Sequence, residues 1–405
     1  MSSMGRIARL IGALLLSSFM LFSSGCGSDD NYAVLPSGGV GLVAFSNGWV
    51  GVINTLTKTV STPFLVGELG AAGSGLLDVV ITPDRKTALV SSFGDATVSF
   101  IDMRGRSLLG SVTLSFFAED IALTPDGKFA LVTDGGFSPR IAVLDVENRT
   151  LVEEYTSPDI DPDPDVVDYE AYFNAVAVAA DGETVLTVDY FSGNLSVLTI
   201  DDAGHLTFVE TIDVSNGTTI SPVNVSISPD GTTAIVAAEA DDYTAASMRF
   251  PVLEITAPGV VALKGYLTVA NQARACQSIV FNSGSTKAYA LCTQEDPDDE
   301  DEVVPNNLVV ALTVTGPGAV SDSGNSTEVD FIGTSQLFGV DTIALDRTNS
   351  YLYISNMTQS GAMAHLQVLN VVTGNVVKTI SFDDVEMPPD SGTMEPALPM
   401  GVFIR

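Results

Sequence analysis

The chain has 405 residues, 17 of them basic and 50 acidic, with a formal net charge of −33 at pH 7. This imbalance argues against nucleic acid and anionic membrane surfaces as partners and favours cations and basic proteins, besides serving solubility. Charged residues make up 17% of the chain, and glycine and proline together number 55, a profile of short strands joined by many turns.

Residues 1–25 read as an export signal. Arg6 and Arg9 precede an apolar stretch from Leu10 to Phe22 that is short for a bilayer span, and Ser-Ser-Gly-Cys follows, ending at Cys26. The arrangement resembles a bacterial lipoprotein signal. That resemblance implies lipidation of Cys26, which becomes the mature N-terminus and ties the protein to a membrane of the cell envelope, on its periplasmic face or at the cell surface. Ordinary secretory cleavage near Cys26 is the alternative, and it too exports the chain. Residues 26–40 read as a linker and 41–405 as one folded domain, with no later segment long and apolar enough to be a membrane span.

From Gly41 onward the sequence repeats itself. "ITPDRKTALVSSFGDATVSFID" begins at Ile81, "LTPDGKFALVTDGGFSPRIAVLD" at Leu123, "VAADGETVLTVDYFSGNLSVLTI" at Val178 and "ISPDGTTAIVAAEADD" at Ile227, with fainter copies from Phe281 and Leu345. Each copy predicts strand, tight turn, strand, polar loop, strand, short turn and strand. Asp-Gly suits such turns because glycine tolerates positive φ. The turn positions Asp84, Asp126, Asp181, Asp230, Ser283 and Asp346 stand 42 to 63 residues apart, the spacing of four-stranded β-propeller blades. The motif resembles the YVTN-repeat propellers, which are related to lactonase-type propellers. "ALVTD" (Ala130 to Asp134) and "LYISN" (Leu352 to Asn356) occupy the position that names that family.

The expected fold is all-β: a seven-bladed propeller whose strands run a to d outward from the axis. Six complete blades begin near Leu76, Glu119, Asn174, Val223, Cys276 and Gly339. Residues 41–66 supply strands b, c and d of a further blade but no strand a. The closing "PMGVFIR" (Pro399 to Arg405) has the a-strand pattern, so the C-terminal strand is expected to complete the N-terminal blade and close the ring.

In such a ring the d-to-a connections and b-to-c loops share one face, called the top, and twenty of the acidic residues fall in four insertions there. One insertion carries Asp159, Asp161, Asp163, Asp165 and Glu170 in a spacing that partly matches a calcium loop, since alternate carboxylates offer the oxygens a hard cation takes. Pro164 stands where the sharp-turn glycine of an EF-hand belongs, so an EF-hand is excluded and a looser Ca2+ site or a solvated acidic loop remain. The run from Glu295 to Glu302 is a plain charge run.

The two histidines, His205 and His365, sit away from the axis, and no haem or zinc spacing occurs. Arg140 and Arg274 are the basic residues best placed at the top. Trp49 reads as packing. Cys276 and Cys292 lie equidistant from Gly284, the centre of the turn between two strands, which makes them cross-strand partners and a disulfide in an oxidising compartment. The reading of function is a lipid-anchored, monomeric scaffold that binds a cationic ligand or a protein through the acidic top face. A lactonase-like hydrolase is the rival. Anchoring by lipid gives a direct test: Cys26→Ala is expected to move the protein from the membrane fraction to the soluble exported fraction, and a variant that stays with membranes refutes it.

Overall fold

A computed structural model describes residues 39–66, 75–158, 172–215, 220–240, 248–269, 273–295, 303–330, 342–356, 365–382 and 399–405, apart from 47 and 137. All of them belong to one compact unit, Val34–Arg405. Strands and turns make up these residues, with no helix among them.

The first strands are β1 (Val40–Phe45), β2 (Trp49–Asn54), β3 (Thr59–Val60) and β4 (Phe64–Leu65). β3 and β4 both pair with β2, and Pro63, which has no N–H to give, lies in the gap between them. Next come β5 (Leu76–Ile81), β6 (Thr87–Ser92), β7 (Thr97–Asp102) and β8 (Ser107–Thr113), which form one antiparallel sheet in chain order. A second such sheet holds β9 (Ala118–Leu123), β10 (Phe129–Asp134), β11 (Arg140–Asp145) and β12 (Thr150–Thr156). A third holds β13 (Phe173–Val178), β14 (Thr184–Asp189), β15 (Asn194–Ile200) and β16 (Leu206–Asp213).

An eight-stranded sheet follows. Its halves are β17 (Ile220–Ile227), β18 (Thr233–Ala240), β19 (Met248–Ala257) and β20 (Val260–Val269), then β21 (Ala273–Phe281), β22 (Lys287–Glu295), β23 (Val303–Gly316) and β24 (Ala319–Asp330). A single pair, Glu239 with Ala275, joins the halves. Six sheets are therefore observed where the repeat predicted seven, because β21 comes within hydrogen-bonding range of β18 at one point. The last sheet is β25 (Ile343–Leu345), β26 (Tyr351–Asn356), β27 (His365–Asn370) and β28 (Asn375–Ser381). The closing strand β29 (Pro399–Ile404) pairs with β1, Gly41 opposite Ile404 and Val43 opposite Val402.

The repeated aspartates build the turns. Asp126 Oδ1 accepts from the Lys128 N–H (2.9 Å) and the Thr124 hydroxyl (2.6 Å), and Gly127 takes φ +73°. Asp84, Asp181 and Asp230 likewise receive an N–H two residues on, the Asx pattern of tight turns. Two further irregularities recur. Except for β25, the first strands have a bulge toward their start, and a hydroxyl on the second strand often engages the interrupted ladder: Ser91, Thr133 and Thr187 bond backbone groups of Asp78, Asp120 and Ala175. Outer strands also carry a bulge, at Leu109, Val152, Val209, Lys264 and Val377, widened to two residues in β24 at Ser323–Gly324. Such bulges twist an edge away from further strand pairing.

First and second strands are buried on both faces, which is why they read as unbroken apolar runs such as "VGLVAF" and "FALVTD". Apolar clusters fill the spaces between successive four-strand groups. One of them joins β25–β28 to the first sheet, with Tyr353, Val368 and Phe382 against Phe45 and Val402. The Phe45 and Phe382 rings meet edge to face at 4.8 Å. Cys276 and Cys292 are directly opposed on β21 and β22, with their sulfurs 2.00 Å apart.

Gly401 marks the tightest approach of β29 to β5. A Cβ there would lie 2.7 Å from the Leu77 carbonyl oxygen and 2.9 Å from Asp78 Cα. Gly401→Ala is therefore expected to destabilise the protein by about 1–3 kcal/mol in urea unfolding, since backbone cannot yield as a side chain does. Gly316→Ala, with nothing within 4 Å of the added carbon, is the control expected to change little.

Candidate functional site

Inside the molecule, the first strands pack in succession, β5 on β9, β9 on β13, β13 on β17, β17 on β21, β21 on β25, β25 on β29 and β29 on β5. Side chains cross these junctions. Asp78 Oδ2 accepts the Ile121 N–H (3.4 Å), Asp120 Oδ2 accepts the Val176 N–H (2.7 Å), and Asn174 Nδ2 donates to the Val223 carbonyl (2.6 Å). The strands line an open cavity of about 420 Å3, its side chains mostly apolar, with Asn224 and Ser226 among them and with Asp120 and Arg405 as its charged lining residues.

At the strand-start end of this wall lies a buried polar cluster. Glu119 begins β9, Asp134 ends β10, Arg140 begins β11 and Tyr172 precedes β13. The Tyr172 hydroxyl donates to Glu119 Oε2. Asp134 Oδ1 accepts the Gly136 N–H (2.7 Å), while Oδ2 takes Arg140 Nε (2.7 Å) and Nη2 (2.5 Å). Arg140 lies over the Phe116 ring at 5.0 Å and reaches the Ser115 hydroxyl, which donates to Glu154 (2.6 Å). Burial pushes the Glu119 carboxyl up to about 8 against the opposing pull of the Tyr172 hydrogen bond, and the charge of Asp134 adds to the rise. Burial also raises Asp134, against the Gly136 N–H and Arg140, and it raises the Tyr172 phenol, which Glu119 raises further.

Exposed aromatic rings border these acids. Phe93 and Phe117 stack at 4.8 Å, 36% and 44% exposed. Gly135 makes room for this stack, because a Cβ there would meet the Phe93 ring at 2.6 Å and Glu119 Cβ at 3.3 Å. Phe191, 45% exposed, stands edge-on to Tyr190 at 5.2 Å, and the Tyr190 hydroxyl reaches Glu239 (3.3 Å). Asp189 fixes the Phe191 loop by accepting its N–H (3.0 Å) and the Ser192 hydroxyl (2.8 Å). Exposed aromatic faces on a chain of net charge −33 make a surface that attracts guanidinium and ammonium groups.

Cys26 and the residues read as a Ca2+ site, Asp159, Asp161, Asp163, Asp165 and Glu170, lie outside the described residues, as does nearly all of the other acidic insertions and the Arg274 side chain. Among the described residues no group of three or more His, Cys, Asp and Glu is placed to hold a metal ion. His205 pairs with Glu153 at 2.7 Å on the surface, and His365 is buried in β27. Trp49 packs in the cluster between the first and last sheets. The sequence analysis did not single out Glu119, Tyr172 and Asp134. The available signal was the pair Glu119-Asp120 near the start of an otherwise apolar inner strand, one residue after Phe116-Phe117.

No protein-family description matches the chain, and no curated protein matches its sequence. Solved structures do resemble it. A functionally unknown protein from Desulfotomaculum acetoxidans is 20% identical with TM-score 0.68, covering 90% of this chain and 98% of its own. The β-propeller domain of Cps50 (Swd1) from Myceliophteria thermophila is 8% identical with TM-score 0.54, covering 78% and 88%. Dihydro-heme d1 dehydrogenase NirN is 12% identical with TM-score 0.54, covering 93% and 77%. At these identities the likeness establishes the fold, and the chain is a β-propeller protein.

The buried carboxyl of Glu119 sets a pH dependence. Its folded-state value of about 8 stands above the ordinary 4.5, so the stability it permits is complete below pH 4.5. That stability is lost as pH rises to 8 and is constant above, a total on the order of 4–5 kcal/mol. Glu119→Gln, which cannot ionise, is expected to flatten the wild-type decline between pH 5 and 8 in urea unfolding. Identical profiles for the two proteins would show that Glu119 ionises freely.

Proposed function

We propose that this protein is an exported, lipid-anchored, seven-bladed propeller of the YVTN-repeat type that acts as a non-catalytic binding scaffold. Its ligand or protein partner is basic, and it binds on the face that carries the acidic insertions. The seven-blade count is supported by seven apolar clusters between successive four-strand groups and by the single bridge that divides the eight-stranded sheet. Closure of the ring by β29 is supported by its pairing with β1 and its packing on both β5 and β25.

One observation carries the binding role. The exposed Phe93–Phe117 stack is held rigidly beside Glu119 on a face whose carboxylates are engaged in fixed bonds: Glu119 with Tyr172, Asp134 with Arg140, Glu154 with Ser115. Such a surface recognises a partner by stacking and by field rather than by proton transfer. A lactonase-like site would require a cation free to meet substrate, whereas Arg140 is committed to Asp134.

An arginine-rich peptide separates specific stacking from diffuse attraction. Two cation–π contacts at about 0.5–1 kcal/mol each make a loss of roughly five- to thirtyfold in affinity the expected result for the Phe93→Ala/Phe117→Ala variant at 0.15 M salt. Net charge is unchanged in that variant, so equal affinity for the two proteins would leave only general attraction and would remove this face as the site.

A further inference from the structure

The central cavity carries a separate inference. Its wall includes Val176, Val178, Val225, Ile227, Ile279 and Phe281, and its volume of about 420 Å3 is that of a small-molecule site. Arg405 reaches this apolar wall half-buried, and its Nη1 donates to the Ile81 carbonyl at 3.3 Å. A guanidinium has five N–H donors, and among the described residues no carboxylate forms an ion pair with this one. The situation is unusual for a chain with 50 acidic residues and 17 basic ones. Burial holds Arg405 below the ordinary guanidinium value, and the positive charge of Arg347 acts in the same direction. The guanidinium therefore lines the cavity half-buried with donors to spare, and an anion there would offset its desolvation.

The other charged lining residue fixes polarity. Asp120 occupies the same repeat position as Asp78, whereas Arg405 is bonded at the level of Ile81, three residues further along the strand direction. The two charges are thus separated by roughly 10 Å along the cavity, with the Asp120 carboxylate already accepting the Val176 N–H. A second anionic group at the Asp120 end would be repelled, and the lining is mostly apolar, with Asn224 and Ser226 as its neutral polar members.

We propose that the central cavity binds a small organic monoanion with an apolar body, its carboxylate seated on Arg405. Octanoate is the probe, measured by calorimetric titration against the full-length protein at 0.15 M salt. Octanol has the same body without the charge, and octanedioate adds a second carboxylate. A chain of net charge −33 repels anions in general, so the diffuse background is low. Saturable binding of octanoate near one per chain is expected, with octanol and octanedioate each at least tenfold weaker. Arg405→Gln is expected to lose at least tenfold in octanoate affinity, and Arg405→Lys, which keeps the charge, to lose less.

Absence of saturable octanoate binding at millimolar concentration overturns the proposal. So does equal binding of octanol, or an Arg405→Gln variant that binds octanoate like the wild type. Should Arg405→Gln fail to fold, the comparison of the three probes on wild-type protein and on Arg405→Lys decides. The Phe93→Ala/Phe117→Ala variant leaves Arg405 untouched, so failure of the binding-face reading and failure of this one are separately visible.

Discussion

The structure depends on how the innermost strands satisfy their free edges. In each four-strand group the first strand has a ladder partner on one side and faces the first strand of the next group on the other. Unpaired N–H and C=O groups there are too costly to leave buried. Side chains of one strand meet backbone groups of the next: near the strand starts Asp120 takes the Val176 N–H and Asn174 gives to the Val223 carbonyl, and near the end of β17 Ser226 gives to the Ile279 carbonyl at 2.5 Å. The bulges at the strand starts belong to this arrangement. An extra residue breaks the ladder, turns a polar side chain toward the neighbouring strand and leaves backbone groups that Ser91 and Thr133 then engage.

That demand also creates the chemistry near the cavity. Glu119 and Asp120 are the bulged residues of β9, and their side chains take different partners. Asp120 serves the junction with β13, and Glu119 is sent outward among Tyr172, Asp134 and the Phe93–Phe117 stack. Two ionised carboxylates could not sit comfortably this close to Asp134 in a buried place. Glu119 keeps its proton instead, donor Tyr172 holds it in position, and Arg140 supplies the charge that lets Asp134 remain an anion. The cluster is a by-product of stitching strands together, and it fixes the backbone from which the exposed rings stand.

Much of the fold was legible because its signals are local. The Asp-Gly turns recur in sequence, the two inner strands of each group are apolar on both faces, and Cys276 and Cys292 sit symmetrically about one turn. The closing strand could be assigned because 41–66 lacks a partner of the a-strand pattern. Outer-strand bulges left no trace, since Leu109, Val209 and Val377 are ordinary strand residues whose doubling depends on twist. Nor could the bridge from Glu239 to Ala275 be read, because it depends on how near β21 comes to β18. The Glu119 cluster was hidden for another reason: Tyr172 is 53 residues away and borders an acidic insertion that drew attention to its own charges.

The distribution of charge follows from the same geometry. Inner strands packed in succession with like ends together give the molecule two unlike ends. Strand starts gather the stitching carboxylates and the insertions, while strand finishes gather the tight turns, whose aspartates are consumed by their own backbone N–H groups. Against the opposing effect of burial, those hydrogen bonds hold the turn carboxylates of Asp84, Asp126 and Asp230 below the usual range, so they stay ionised while bound to their own backbone, and Arg405 forms no ion pair with any of them. An overall charge of −33 thus conceals a polarised interior. The strand-start end presents the Phe93–Phe117 stack outward, and the other end offers the Arg405 guanidinium to the cavity.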